Sequence, residues 1–369
     1  MRKRIPFTTL LAAATIGHSV KAFVTSGRPF SSKLCWQHRD SCPFSGLTST
    51  SSSFLAPLYS TTQKQQQQDV IRVETGLVGD DSAYFSLEQQ KLEDWIKFSV
   101  ATGTVLAAVA WVWILPSGPH GGDMFLQQVQ SVMGTTDPAV TVFSMLAIFA
   151  VCHSGLAGLR TYAEPIVGAR AWRVLFAVVS LPLALSCISY FINHAHEGTQ
   201  FWDLTHVPGL HSALWITNFV SFLFLYPSTF NLLEIAAIQK PQLHLWETGV
   251  IRITRHPQAI GQIMWCVAHS LWLGTSTALA ASAVLIAHHV FSMYHGDRRL
   301  KTRHGDAFDY VKSKTSIVPF QAILEGRQEL PEDYYKEFLR GPYLLVVGGT
   351  IAAYFAHPYM QAGAALLHW

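Results

Sequence analysis

Residues 139–159 read AVTVFSMLAIFAVCHSGLAGL, a run of 21 residues with no Asp, Glu, Lys or Arg before Arg160. At 1.5 Å per residue such a run is roughly 31 Å of helix, the thickness of a bilayer's hydrocarbon core. A lone histidine, His153, sits inside it. An imidazole at that depth needs a partner, and a metal or metallocofactor is one of the few that account for it.

The rest of the chain follows the same pattern. Charged residues are 13% of the 369 and hydrophobic residues 50%, about half the usual charge of a soluble protein. Seven apolar stretches are candidate spans: 98–115, 139–159, 171–192, 211–233, 259–273, 278–293 and 342–355, none with an Asp or Glu. The fifth and sixth are short enough to be buried helices instead, so the expected fold is an all-α, polytopic membrane bundle of six or seven transmembrane helices.

Basic residues supply an independent check. Lys91 and Lys97 precede the first span, Arg160 and Arg170 join the second and third, and Lys240, Arg252 and Arg255 lie between the fourth and fifth. Arg298, Arg299, Lys301, Arg303, Lys312 and Lys314 follow the sixth. All fall on one side of seven alternating spans, and the opposite loops, 116–138, 193–210 and 274–277, hold no Lys or Arg. The net charge of +3 therefore belongs to a polarised membrane protein, not to a nucleic-acid surface.

The first 80 residues are of a different kind. Arg2, Lys3 and Arg4 lead an apolar run that ends at Val20-Lys21-Ala22, followed by Phe23, as in a secretory signal cut near Ala22. A stretch rich in Ser and Thr follows, and Gln65 to Gln68 form a low-complexity linker. This resembles the bipartite plastid presequence of algae with secondary red plastids; the alternative is a plain secretory signal with a disordered tail. The expected divisions are a signal at 1–22, a transit segment and linker at 23–68, a lead-in at 69–94 and a membrane domain at 95–369. Cys35 and Cys42 lie in the presequence and Cys152, Cys187 and Cys266 in spans, which is no disulfide framework.

A second mid-span histidine, His269, closes the run Cys266-Val267-Ala268-His269. His153 lies seven residues from Arg160, roughly 10 Å in, and His269 twelve from Pro257, roughly 18 Å in. Both are thus within about two helical turns of one level, compatible with two axial ligands of one porphyrin iron. Cys266, on the same helix face as His269, could substitute as a thiolate. For either histidine the plain alternative is a neutral ring bonded to a backbone carbonyl. His288 and His289 compete as ligands, and being adjacent they point about 100° apart, so one at most faces a cofactor. Arg252 and Arg255 stand at the basic face, where guanidinium suits haem propionates or lipid phosphates equally. Pro257 suits the first turn of a helix.

Longer blocks carry a family resemblance. Leu225-Tyr226-Pro227-Ser228-Thr229-Phe230-Asn231, Trp246-Glu247-Thr248-Gly249, Arg255-His256-Pro257-Gln258, Trp265-Cys266 with His269, and His295-Gly296-Asp297-Arg298-Arg299 resemble the 15-cis-ζ-carotene isomerases of the NnrU family. His153-Ser154-Gly155-Leu156 and Asp333-Tyr334-Tyr335-Lys336-Glu337-Phe338 extend the likeness over roughly residues 90 to 360. The resemblance implies an integral plastid membrane enzyme with haem b that turns the central 15-cis bond of 9,15,9'-tri-cis-ζ-carotene to trans, giving the 9,9'-di-cis form. It also implies that His153 and His269 are the iron ligands and that Cys266 replaces one in another redox state. The expected partners are a carotenoid and membrane lipid, with self-association left open and nucleic acid excluded.

A forty-carbon polyene has no polar handle, so its site should be an apolar slot with aromatic walls, for which Trp215, Phe219, Phe222, Phe224, Tyr226, Trp265 and Trp272 are candidates. No acid–base pair is in evidence, and the expected route is electronic interaction of ferrous haem with the polyene, without net redox change, after one axial ligand moves away. One rival is an S-adenosylmethionine-dependent membrane methyltransferase, because the Arg255-His256-Pro257 start and the run from Arg303 to Tyr310 also resemble isoprenylcysteine methyltransferases. That pattern does not call for histidine in mid-span. A non-enzymatic haem sensor is the other alternative.

Overall fold

A computed structural model describes residues 91–115, 121–226 and 249–367, with isolated positions 233, 236 and 238. The chain divides into two units, Met1–Lys64 and Gln65–Trp369, and every described residue belongs to the second. The presequence divisions lie outside the described residues.

The described residues are helical, with one isolated antiparallel bridge between Gln200 and Thr275. In chain order the helices are α1 (Leu92–Val109, continued by a π turn, Ala110–Ile114), α2 (Gly121–Met133), α3 (Pro138–Val167), α4 (Ala169–His194) and α5 (Leu210–Leu225). They are followed by α6 (Val250–Ile253), α7 (Pro257–Leu273), α8 (Ser276–His304), α9 (Asp306–Lys314), α10 (Gln321–Leu324), a 3-10 turn (Tyr334–Phe338) and α11 (Gly341–Ala365).

Local chemistry sets the ends. Asp137 caps α3 by accepting from the Val140 amide at 3.0 Å, with Pro138 at the first helical position. Pro257 opens α7 in the same way. The turn from α7 to α8 requires Gly274, whose φ is 65° and where a Cβ would collide with the Trp202 carbonyl. Thr275 then caps α8, accepting from Ala278 at 3.2 Å while donating to the Ala195 carbonyl at 2.7 Å.

Each of the seven predicted spans coincides with a helix over its described residues; most of the fourth beyond Tyr226 lies outside them. Among the described residues, four helices are long and apolar enough to cross a membrane: Leu92–Ile114, Pro138–Val167, Ala169–His194 and Ser276–Thr302. Only 6% of the apolar window of α1 is buried inside the protein, against 33% for α4, so most of its surface is left for lipid. The sixth span is much longer than its apolar run suggested, because α8 continues through Arg298 and Lys301, good helix formers that a headgroup layer can solvate. The fifth is a helix of 17 residues, as short as its sequence suggested.

The stretch 116–138 holds an element that hydropathy did not reveal. Amphipathic α2 buries Phe125 and Val129 beside α3 and Trp113, too polar on its other face to register as a span.

Two packing centres hold the histidine-bearing helices in place. One joins α3, α4 and α8 through Val142, Met145, Cys187, Tyr190, Ala281 and Val284. The other joins α5, α6 and α11 through Phe224, Val250 and Tyr343. Helix α8 packs against both α3 and α7, and α7 packs closely on α5. That approach depends on Gly261, where a Cβ would lie 2.5 Å from the Ser221 carbonyl oxygen.

Candidate functional site

His153 projects from α3 into a pocket of rings. Its centroid is 5.2 Å from Phe149 one turn back, 4.8 Å from Phe176 of α4 and 5.7 Å from His288 of α8. Its Nδ1 is buried with no hydrogen-bond partner among the described residues. A buried ring nitrogen left in this way is costly unless something else occupies it. His288 Nδ1 is 3.4 Å from Ser154 Oγ, and His289 stands 5.5 Å from His288 with its ring turned by 77°. The competing histidines therefore gather beside His153.

His269 is held differently. Its ring stacks on Trp265 at 3.8 Å, and its Nδ1 lies 2.9 Å from the Trp265 carbonyl oxygen. A carbonyl only accepts, so Nδ1 carries the proton and Nε2 keeps its lone pair. A metal-binding histidine shows the same arrangement, its tautomer and ring orientation set by a bond to the other nitrogen. An ordinary bond back along the helix has the same geometry.

Cys266 faces α8. It is fully buried, its sulfur is 3.5 Å from Gln262 Nε2, and its carbonyl accepts from Ser282 Oγ at 3.3 Å. Ser270 donates to the same Ser282 at 2.8 Å. Ser282 thus marks the level of Cys266 and Ser270 on α8, as His288 marks that of His153. The step of six positions from Ser282 to His288 is about 9 Å of helix, close to the difference of about 8 Å between the depths read from the basic face.

The two arginines at the basic face are engaged by protein carboxylates. Arg252 meets Glu337 through Nε and Nη2 at 3.0 to 3.2 Å, and Glu337 also accepts from the Gly249 amide at 2.6 Å. Tyr334 and Tyr343 complete this clamp, the first donating to the Gly249 carbonyl at 2.7 Å and the second accepting from the Val250 amide at 3.2 Å. Arg255 meets Asp297 of α8 at 3.0 and 3.2 Å, and His256 Nε2 lies 2.8 Å from the other oxygen of that carboxylate, without good hydrogen-bond alignment. The backbone between them is tied to the segment before α10, with Thr254 donating to Ile317 and the Phe320 amide to Ile253. The partners are internal where the sequence pointed to propionate or phosphate.

Comparison with known proteins decides the family. The profile described as NnrU protein matches residues 141–363. The chain belongs to the NnrU family. A relative from Arabidopsis thaliana is 55% identical over 295 residues, 80% of each chain, and one from Zea mays is 53% identical over 293 residues, 79% of each. Both are named 15-cis-zeta-carotene isomerase, chloroplastic. No solved structure matches significantly.

In this NnrU chain the candidate aromatic residues separate into groups. Trp215 stacks with Phe219 at 5.6 Å and Phe222 with Tyr226 at 5.3 Å along one side of α5, whereas Phe224 is buried in the core on another. Trp265 underlies His269, and Trp272 stands edge-on to His211 at 5.2 Å. Sequence reasoning missed Glu337 and Asp297 as the partners of the arginines. Both occur in the family-like blocks, but separations of 85 and 42 residues carry no pairing signal.

Proposed function

We propose that this chain is a haem-dependent isomerase of the plastid membrane that turns the central 15-cis double bond of 9,15,9'-tri-cis-ζ-carotene to trans. The reading is carried by the 55% identity over 80% of the chain to a protein named 15-cis-zeta-carotene isomerase, chloroplastic. The four helices able to cross a membrane suit a substrate that dissolves only in lipid.

His153 and His269 are the proposed ligands and Cys266 the substitute for one of them. The donor chemistry fits haem: a buried Nδ1 on His153 with no hydrogen-bond partner among the described residues, and an Nε2 lone pair on His269, whose other nitrogen is bonded to Trp265. Haem b, when bound, supplies an iron whose electronic interaction with the polyene lowers the order of the bond that rotates. The protein's part is orientation and exclusion of water. Trp265 fixes the ring plane of His269, Phe149 and Phe176 enclose His153, and Arg252 and Arg255 brace the basic end of α7 through Glu337 and Asp297.

Purified protein tests this with oxidised and reduced absorption spectra beside the isomer composition of added tri-cis-ζ-carotene. The expected result is a Soret band with conversion to the 9,9'-di-cis isomer, both lost in His153→Ala and His269→Ala. Conversion without a Soret band would remove haem from the reading, and a Soret band without conversion would leave a haem carrier.

A further inference from the structure

His211, Trp215, Phe219, Phe222 and the C-cap Tyr226 recur at spacings of three and four residues, which places all five within an arc of about 80° on α5. The stripe runs for roughly 22 Å. Leu214, Ser221 and Phe224, the buried residues of α5, lie outside this arc, and Ser221 is packed against Gly261 of α7. The aromatic residues are left half-buried or exposed along the flank of the packed face.

At one end of this stripe a cavity of about 280 Å³ opens between α5 and α11, lined by His211, Ser212, Trp215, Ile216 and Tyr354. The Tyr354 ring stands edge-on to Trp215 at 5.3 Å, forming one wall, and Ile216, 57% exposed, forms an open lip. One contact leads from this cavity toward the proposed ligand. His211 meets Trp272, which shares a face of α7 with His269 and lies less than one turn from it.

We propose that this groove binds the carotenoid, with one end of the polyene in the cavity lined by Trp215 and Tyr354, on the level of His269, and the chain lying along the α5 stripe. The assignment rests on the function proposed above. A conjugated chain is flat and polarizable, and aromatic faces offer it close contact over its whole length, whereas a saturated acyl chain gains no comparable benefit from ring geometry. The cavity is smaller than a whole forty-carbon molecule, consistent with one end entering and the remainder following the stripe toward lipid. The open lip suits a ligand that arrives from the bilayer.

The test uses full-length haem-loaded protein and tri-cis-ζ-carotene as the probe. Carotenoid retained per haem after gel filtration is measured beside KM for isomerisation. Trp215→Ala and Tyr354→Ala should each raise KM about tenfold or more and lower retention, with the Soret band unchanged. Ile216→Trp, which fills the mouth without removing a packed ring, should abolish saturation and retention. Trp111→Phe, on the 76%-exposed flank of the α1 extension, should match wild type. Wild-type turnover with KM and retention unchanged in all three groove variants would overturn the groove and leave the isomerase standing. Failure of wild type itself to bind or isomerise the carotenoid would overturn both. Retention of acyl lipid in place of carotenoid would assign the groove to lipid and overturn the proposal.

Discussion

Arg255 reaches Asp297 across 42 residues of sequence, its Nη2 3.0 Å from Oδ2, with side chains only 10% and 16% exposed. This pair joins the start of α7 to the basic end of α8. Removing one partner from such a pair leaves a charge with little water to solvate it, commonly a cost of about 3–5 kcal/mol. Asp297→Ala is therefore predicted to lower thermal stability in detergent strongly, and Arg255→Lys, which keeps the charge but loses the two-pronged contact, to lower it less. An Asp297→Ala protein that melts with wild type would show that the pair does not hold these helices together.

Gly261 permits a second prediction that is purely steric. A Cβ there would lie 2.5 Å from the Ser221 carbonyl oxygen and 2.8 Å from Leu225 Cγ, whereas at Gly103 on α1 nothing lies within 4 Å. Gly261→Ala must push α5 from α7, at a cost of roughly 1–3 kcal/mol typical of overpacking. Gly103→Ala should be neutral or slightly stabilising, since alanine is the better helix former. Equal melting temperatures for the two variants would count against a tight α5–α7 contact.

The positions of the helices were largely legible in the sequence, and the reasons are physical. An apolar run such as 171–192 must lie in lipid or core whatever its neighbours do, and the alternation of Arg and Lys orders the spans without any knowledge of contacts. What surrounds His153 was not legible, because Phe176 and His288 come from helices whose rotation about their axes no hydropathy profile records. The engagement of Arg252 by Glu337 was hidden for a related reason. A basic residue at a membrane face reads identically whether its partner is a cofactor, a lipid or a carboxylate 85 residues later.

The crowding of histidines beside His153 yields a prediction on ligand identity. His288 lies 5.7 Å from His153 ring to ring, and its Nδ1 contact with Ser154 Oγ at 3.4 Å leaves Nε2 free just as that of His269 does, so the prediction follows the ligand pair proposed above. His288→Ala and His289→Ala are expected to retain the low-spin haem spectrum, and His153→Ala to lose it. Loss of that spectrum in His288→Ala with retention in His153→Ala would exchange the two assignments.

Glu337 carries the last prediction, because it holds two things at once. Its carboxylate accepts from the Gly249 amide at 2.6 Å and from Arg252, and Tyr334 holds the Gly249 carbonyl, so the entry to α6 is fixed on both sides. Gly249 has φ 56° and ψ −133°, a conformation that a residue with a Cβ adopts only at a cost. Glu337→Ala exposes the Gly249 amide and leaves the Arg252 guanidinium its 3.4 Å contact to the Glu329 carbonyl, for an expected loss of about 3 kcal/mol. Tyr334→Phe removes the neutral hydrogen bond to the Gly249 carbonyl and should cost about 1 kcal/mol. The order of the two melting temperatures is the check. A Tyr334→Phe variant less stable than Glu337→Ala would mean that the phenol, and not the carboxylate, is the principal anchor of the segment leading into α7.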